Sequence, residues 1–472
     1  MRMETTHETQ LPVAVIGAGP VGLAAAAHLL AQGETPVVLE AGRSVGASVR
    51  EWGQVRLFSP WRYNVDAASV ALLGEQGWRA PDPDTFPTGR DLVERYLEPL
   101  AAMPQLAPHI RLDRQVVAVT RRGFDKMKSA GREEAPFLLQ LRSSDGHTEQ
   151  LLARAVIDAS GTWRSPNPLG ASGLPAPGEA ELADRIFFGI PDALGAHRQR
   201  YAGRRTLVVG SGHSAFNAIL DLAALAAEEP GTTIAWAVRR RTFGQIFGGG
   251  ENDLLEARGE LGQRIRELVE RGVLNVTLGF RTAALTATEE GIVAVGEEGE
   301  SLPPVDEIVA TTGFRPDLAM LRELRLGLDP AVEAPTALAP LIDPNVHSCG
   351  TVRPHGAEEL AHPERDFYLA GMKSYGRAPT FLLLTGYEQV RSVAAAIAGD
   401  WESARDVWLE LPETGVCSSG LAAASCCAST LAGNLATVGA AAPACGVGNV
   451  SPEPVLVTLG APRKAAGGGC CG

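Results

Sequence analysis

Short, predominantly apolar runs of four to six residues recur along this chain, and most end in or are followed by a small or charged residue. The helical pattern of apolar residues follows several of them, for example over 23–31, 216–227 and 378–398. Such runs, alternating with helices, are typical of parallel strands that are buried on both faces. The runs lie at residues 13–16, 36–39, 155–158, 206–209, 233–238, 306–310 and 366–370. We therefore predict an α/β fold class with two Rossmann-like, open and largely parallel sheets, each with helices on both faces.

Two of the runs lead directly into a glycine-rich turn, GAGPVG at 17–22 and GSGHSA at 210–215. In such turns the first glycine permits the tight strand-to-helix turn and the second lets the backbone approach a pyrophosphate. The third small residue allows the helix to pack closely on the strand. One such turn is weak support, but two in strand–turn–helix context predict two dinucleotide-binding units. The turn residues expected to bind cofactor are Gly17, Gly19, Gly22, Gly210, Gly212 and Ser214.

The end of the next strand distinguishes the two units. Glu40 ends the strand after the first turn, where a carboxylate can bind the ribose hydroxyls of an adenosine. The strand after the second turn ends in Arg239, Arg240 and Arg241, and guanidinium groups pair well with the 2′-phosphate of NADP. A solvated basic loop is the alternative explanation of the arginines. The predicted cofactors are FAD on the first unit and NADPH on the second.

Further candidate residues follow other strands. Asp158 and Gly161, then Gly313, then Gly371 lie in small-residue turns that allow a cofactor to approach, although an ordinary strand end explains any one of them. The stretch 50–64 is dense in aromatic and polar residues. From it we predict Arg50 as a cofactor contact and Trp61 and Asn64 as catalytic residues, with Asn64 as a donor to the flavin or simply a turn former.

Composition and charge favour a soluble, cytoplasmic enzyme. The chain of 472 residues is 45% hydrophobic and 21% charged, as in ordinary globular proteins. Its 42 basic and 55 acidic residues give a net charge of −13, which argues against nucleic acid or an anionic membrane as a partner. The first ten residues are polar and lack the apolar core of a signal peptide. The oligomeric state stays open.

The chain resembles the two-dinucleotide flavoproteins typified by flavin-containing and Baeyer–Villiger-type monooxygenases, over about residues 11–410. Their signature before the second glycine turn is partly matched by Phe187-Phe-Gly189, His197 and Tyr201, with the histidine four residues late. The aspartate expected after Gly371 is replaced by Met372-Lys373, which puts the usual contact with the flavin ribityl chain in doubt. The chain therefore resembles a divergent member.

The resemblance implies an FAD domain that is split by an inserted NADPH domain, with crossings near Gly161 and Gly313. We expect an FAD domain at 1–165 and 303–410, an NADPH domain at 166–302 and a tail at 411–472. It also implies that NADPH reduces the flavin, which with oxygen forms a C4a-peroxyflavin. This would oxygenate a soft nucleophile, namely sulfur, nitrogen or a metalloid such as an arsenical. The expected partners are therefore a small-molecule substrate and oxygen.

The cysteines concentrate in the predicted tail, which is rich in alanine, glycine and serine and which we expect to be flexible. Neighbouring thiols without histidine suit soft ions such as trivalent arsenic, mercury or copper(I) better than zinc. The thiols predicted to bind a metalloid are Cys349, Cys426, Cys427, Cys470 and Cys471. A membrane anchor and incidental cysteines are the alternatives. A flavin body with such a tail resembles flavoproteins encoded with arsenic resistance.

Three hypotheses follow. The first is an FAD-dependent, NADPH-oxidising monooxygenase, and the second is an NADPH-dependent flavin reductase or oxidase without oxygen insertion. The third is a thiol-tailed metalloid-binding protein. A disulfide reductase is disfavoured because the FAD and NADPH units contain no cysteine pair beside the flavin.

Overall fold

The computed structural model describes residues 11–243, 246, 256–346, 353–378 and 381–407. Its strands form two five-stranded parallel sheets and two smaller antiparallel sheets. The strands are β1 (Val13–Ile16), β2 (Pro36–Leu39), β3 (Ile110–Arg111), β4 (Gln115–Arg121), β5 (Phe137–Arg142), β6 (Thr148–Ala153), β7 (Ala155–Asp158), β8 (Ile186–Phe188), β9 (Arg205–Val209), β10 (Thr233–Val238), β11 (Leu274–Leu278), β12 (Thr282–Thr288), β13 (Gly291–Gly296), β14 (Glu307–Ala310) and β15 (Phe367–Leu369).

The helices connect these strands. They are α1 (Pro20–Ala31), α2 (Ala47–Arg50), α3 (Ala67–Gly74), α4 (Gly89–Leu92), α5 (Glu98–Ala101), α6 (Arg198–Tyr201), α7 (His213–Glu228), α8 (Glu256–Glu270), α9 (Ala339–Ile342), α10 (Leu383–Ile397) and α11 (Trp401–Arg405). The predicted helices at 23–31 and 216–227 match α1 and α7, whereas α10 begins at Leu383 rather than at residue 378. No helix in the described part of the chain is long and apolar enough to cross a membrane.

The first sheet has the order β15-β7-β1-β2-β3. Successive side chains of its central strand point to opposite faces, as the geometry of a strand requires. Val13 and Val15 pack in the cluster with α1 and α10, and Ala14 and Ile16 pack with the antiparallel sheet β4-β5-β6. The sheet is therefore covered by helices on one face and by a second sheet on the other.

The second sheet has the order β11-β10-β9-β14-β8 and is built in the same way. Val208 and Trp236 pack with α7 on one face, whereas Leu207 and Val209 pack with the hairpin β12-β13 on the other. The expectation of helices on both faces is thus wrong for both sheets. Strands such as β5 alternate buried and exposed residues, so they lack the continuous apolar runs by which the parallel strands were predicted.

The chain crosses between the two sheets twice, after β7 and after β14. The two crossings lie side by side, because Asn167 donates its backbone N–H to the Gly313 carbonyl and Arg315 donates to the Ser165 carbonyl, at 2.9 and 3.0 Å. The Asn167 side chain also donates to the Thr312 carbonyl at 3.1 Å. We call residues 165–167 and 312–315 the crossing ribbon. Since β14 pairs with β8 and β9, the second sheet extends past residue 302, where the predicted NADPH domain ends.

Candidate functional site

The first glycine turn joins β1 to α1 at the carboxyl edge of the first sheet. Gly17 has a φ of +99°, and a Cβ there would lie 2.9 Å from the Ala159 carbonyl oxygen. A Cβ at Gly22 would overlap the carbonyl oxygen of Gly17, so both positions require glycine. At Gly19, by contrast, no described residue has an atom within 4 Å of an added Cβ. The turn is therefore closed on its protein side and open at Gly19, as a pyrophosphate beside a helix N-terminus requires.

Glu40 completes this turn. Its two carboxylate oxygens accept the backbone N–H groups of Ala18 and Gly42, each at 2.7 Å. A carboxylate has about four lone-pair sites, so the two oxygens can still accept hydrogen bonds from a diol. The arrangement fits the ribose of an adenosine, with the glycine turn beside it for the pyrophosphate.

The second glycine turn repeats the geometry between β9 and α7. Gly210 has a φ of +129°, and a Cβ there would lie 2.5 Å from the Thr311 carbonyl oxygen. An added Cβ at Gly212, as at Gly19, would have no described residue within 4 Å, and the half-buried Ser214 lies in the first turn of α7. The Trp236 indole on β10 donates to the Gly210 carbonyl at 2.6 Å and fixes the turn to its sheet.

The arginines that follow β10 lie at the same carboxyl edge as this turn. Arg239 is exposed and Arg240 is half-buried, whereas Arg241 pairs with Glu298 at 3.2 Å. Parallel strands present their carboxyl ends together, so Arg239 and Arg240 are placed to meet a phosphate on a ribose bound beside Gly212. Their role in NADPH binding stays a prediction.

The side chains of the stretch 50–64 are less exposed to solvent than its composition suggests. Asn64 is 1% exposed and donates both amide hydrogens to backbone carbonyls, those of Ser59 at 2.7 Å and Pro60 at 2.9 Å. Trp61 is buried in the main core cluster, and Arg50 pairs with Glu98. The structure therefore gives Asn64 and Trp61 a structural environment, and their catalytic roles, like the cofactor contact of Arg50, stay predictions.

The same stretch also reaches the second domain. The Phe58 ring lies 5.7 Å from the His213 ring at the start of α7, and the Gln54 side chain donates to the Ile190 carbonyl at 2.9 Å. Glu51 accepts a hydrogen bond from the Trp163 indole at 2.7 Å, next to the crossing ribbon. These contacts bring the second glycine turn against the first domain.

Sequence reasoning missed a buried ion pair at the carboxyl edge of the first sheet. The Lys373 ammonium lies 2.7 Å from an Asp158 carboxylate oxygen and 3.0 Å from the Ser160 hydroxyl. Lys373 is 1% exposed and Asp158 is fully buried. One sequence feature pointed to this ion pair. Lys373 is a charged residue two positions after Gly371, in a turn where the resemblance leads one to expect an aspartate.

A buried polar network supports the Gly371 turn from behind. Gln389 on α10 accepts the Gly371 backbone N–H at 2.8 Å, and its amide nitrogen lies 2.9 Å from His355 Nε2. Burial lowers the pKa of His355, so the neutral ring can accept this amide hydrogen. The network therefore fixes the backbone of the turn without introducing a second charge.

The predicted metalloid thiols Cys349, Cys426, Cys427, Cys470 and Cys471 all lie outside the described residues. Within the described ranges there is no group of three or more His, Cys, Asp or Glu side chains that could hold a metal ion.

Comparisons with known proteins agree with this geometry. The profile of the family described as pyridine nucleotide-disulphide oxidoreductase matches residues 14–337. Indole-3-pyruvate monooxygenase YUCCA1 of Oryza sativa subsp. japonica is 31% identical over 46% of this chain and 46% of its own length. A ferredoxin–NADP reductase of Salinispora arenicola is 29% identical over 68% of this chain and 79% of its own. The chain spans about half the length of the first curated relatives it matches.

Among solved structures, the bacillithiol disulfide reductase Bdr of Bacillus cereus is similar with a TM-score of 0.61. The match covers 83% of this chain and 99% of that one at 18% identity, so it concerns the fold alone. It confirms the predicted fold class, an α/β protein with two Rossmann-like units.

Proposed function

The chain belongs to the pyridine nucleotide-disulphide oxidoreductase family, and from that premise we propose that it is an FAD-dependent monooxygenase that consumes NADPH and oxygen. The prediction of a divergent two-dinucleotide flavoprotein with FAD and NADPH as its cofactors is confirmed by this membership. The two glycine turns, each open at its second glycine, fit these cofactors.

The observation that carries the proposal is the position of the cysteines. The family profile matches residues 14–337, and the first cysteine of the chain is Cys349. A disulfide reductase needs a cysteine pair beside the flavin to receive its electrons. Without one in the matched region, the electrons of the reduced flavin leave to an acceptor that diffuses in, either oxygen or an electron carrier.

Oxygen as the acceptor is supported by the monooxygenases among the relatives, which align with a little under half of this chain. Reduced flavin together with oxygen supplies an electrophilic oxygen atom. The balance is NADPH, a proton, oxygen and substrate in, and NADP⁺, water and the oxygenated substrate out. The protein has to hold both cofactors and exclude water from the space between them. The Phe58–His213 contact beside the second glycine turn and the stacked Trp163 and Phe314 rings, 4.8 Å apart at the crossing ribbon, would suit this task.

The substrate class that suits an electrophilic oxygen is a soft nucleophile, a sulfur, a nitrogen or a trivalent metalloid such as an arsenical. The tail thiols would then capture a metalloid and deliver it to the flavin. An arsenical substrate, which implies a role in arsenic resistance in the cytoplasm, is the more specific part of this proposal, and we call it the arsenical branch.

A second candidate is an NADPH-dependent flavin reductase without oxygen insertion. It is favoured by the ferredoxin–NADP reductases, whose alignments cover about two thirds of this chain. In this function the electrons would leave singly to a carrier.

The purified chain, loaded with FAD, tests both candidates. We expect NADPH-dependent oxygen uptake with about one oxygenated product per NADPH for a thioether, an amine or a trivalent arsenical, and little hydrogen peroxide. Full recovery of the oxygen as peroxide with every substrate class, together with fast anaerobic reduction of ferredoxin, would instead establish the reductase.

The arsenical branch has a separate test on the full chain. Serine in place of Cys426, Cys427, Cys470 and Cys471 should abolish tight binding of phenylarsenite and leave FAD content unchanged. Equal arsenical binding by the two chains would end the capture hypothesis.

A further inference from the structure

A buried ammonium group lies at the carboxyl edge of the first sheet. Lysine is almost never fully buried unless it is paired, and desolvating its charge is costly. Lys373 is nonetheless 1% exposed, with its Nζ 2.7 Å from Asp158 Oδ2 and 3.0 Å from Ser160 Oγ. A cation kept in such a place needs an explanation beyond the packing of the core.

The ammonium lies next to the first glycine turn. Ser160, which accepts its hydrogen bond, lies with its Cα 3.0 Å from where a Cβ of Gly17 would be. Gly371 precedes Lys373 in the same short turn, Gly371–Tyr375, and packs against Val21 in the first turn of α1. The turn of Lys373, the glycine turn and the N-terminus of α1 therefore meet at one edge.

The hydrogen bonds to Asp158 and Ser160 use two of the three N–H groups of the Lys373 ammonium. A lysine ammonium has three N–H groups. Among the described residues, Asp158 and Ser160 accept two of them. The other Asp158 oxygen accepts the backbone N–H and the hydroxyl of Ser160, at 3.1 and 2.6 Å, which fixes the position of the carboxylate. No residue in the described part of the chain accepts the third N–H group.

We propose that Lys373 binds the pyrophosphate of FAD with this third N–H group and that Asp158 and Ser160 position its ammonium. The assignment rests on the FAD binding of the proposed function. An anionic bridge at Gly19 would lie between two sources of positive potential, the α1 N-terminus and the Lys373 ammonium. This contact differs from that of the aspartate expected after Gly371, which the resemblance assigns to the flavin ribityl chain.

The experiment measures binding of three ligands to the flavin-free full chain. FAD and ADP contain the pyrophosphate, whereas riboflavin does not. The variant is the double substitution Asp158→Asn with Lys373→Met, because Lys373→Met alone would leave a buried carboxylate unpaired. Lys128→Met is the control for the loss of a lysine ammonium as such, on the exposed loop between β4 and β5.

In the double variant we expect FAD and ADP to bind about 10- to 100-fold more weakly, as for a lost hydrogen bond to a charged group, with riboflavin binding unchanged. The salt dependence of FAD binding should also decrease. The thermal unfolding of the flavin-free chain shows whether the variant is folded, and Lys128→Met should match the wild type throughout.

FAD and ADP affinities within twofold of the wild type would overturn the assignment. Lys373 would then have only a structural role, connecting β7 to the Gly371 turn. Weaker FAD binding with unchanged ADP binding would also overturn it, because the contact would then be with the flavin end of the cofactor. A wild-type chain that does not bind FAD at all would refute the proposed function as well.

Discussion

At the scale of single residues, the glycines of the two turns have different tasks. Gly17 and Gly22 are required by the protein itself, because any Cβ there meets backbone atoms. Gly19 and Gly212 have no described residue within 4 Å of an added Cβ and a backbone that other residues can adopt, so we expect their glycines to serve a ligand. Stability and binding are thus assigned to neighbouring positions of one motif.

Alanine substitutions should separate these tasks. Gly19→Ala should leave the thermal unfolding of the flavin-free chain nearly unchanged and weaken FAD binding at least tenfold, because the methyl group occupies the approach of the pyrophosphate. Gly22→Ala should lower the unfolding temperature of the flavin-free chain, because its methyl group overlaps the Gly17 carbonyl. Calorimetry and FAD titration check both, and equal unfolding temperatures for the two variants would contradict the assignment.

A second buried charge cluster serves stability alone. Glu364 is 3% exposed and accepts hydrogen bonds from Arg121 and Arg132, at 2.8 and 2.9 Å. Burial by itself would raise the pKa of the Glu364 carboxyl, but these hydrogen bonds, the one from the Arg325 backbone N–H and the charge of Arg132 together lower the pKa below its ordinary value. The cluster therefore fastens β4 to the segment that leads into β15.

Glu364→Gln should reduce the free energy of unfolding by about 3–5 kcal/mol, because it leaves two buried guanidinium groups without a countercharge. Urea denaturation measures this. The control is Glu358→Gln, which breaks an exposed ion pair with Arg405 and should change stability by less than about 1 kcal/mol. Equal effects of the two substitutions would show that the buried cluster contributes no more than a surface pair.

At the scale of elements, α7 carries a carboxylate into a partly apolar setting. Burial, together with the nearby charge of Asp192, raises the pKa of Asp221 to about 6. An acid whose pKa is higher in the folded chain binds its proton more tightly there. Its contribution to stability is present below the unfolded pKa of 3.8 and is lost as the pH rises through about 6.

Asp221→Asn should remove this part of the pH dependence. Between pH 4 and 7 the wild type should lose stability from this group, and the variant should show a flatter profile and the higher stability at pH 7. Urea denaturation at several pH values measures it, with the exposed Asp184→Asn as the matched control. Parallel profiles of wild type and Asp221→Asn would show that the carboxyl is not perturbed.

Elements also show how far the sequence predicts the structure. The strands β1, β7, β9 and β14 were predictable because each contains at least three consecutive apolar residues and is followed by a turn of small residues. The hairpins of β4–β6 and β12–β13 were not, because buried residues alternate with partly or fully exposed ones along them and their pattern resembles that of many loops. The Lys373–Asp158 pair joins residues 215 positions apart, and no local pattern indicates such a contact.

At the scale of the whole molecule, we expect the crossing ribbon to control the approach of the two dinucleotide units. Asn167→Ala should loosen it, because the Asn167 amide bonds the opposite crossing at Thr312. We expect slower anaerobic reduction of the flavin by NADPH with unchanged NADP⁺ affinity, measured by stopped-flow absorbance and by titration. Asn275→Ala, on the exposed side of β11, is the control, and unchanged reduction in Asn167→Ala would refute this role.

The crossing ribbon has one more consequence, which concerns evolution and engineering. The inserted unit enters and leaves its host through two adjacent, hydrogen-bonded segments, so its two ends are neighbours in space. A unit with neighbouring ends can be cut out and exchanged as a cassette without rerouting the host chain. Grafting residues 168–311 from a relative with a different nucleotide preference would therefore change the electron donor and leave the oxidising half of the molecule as it is.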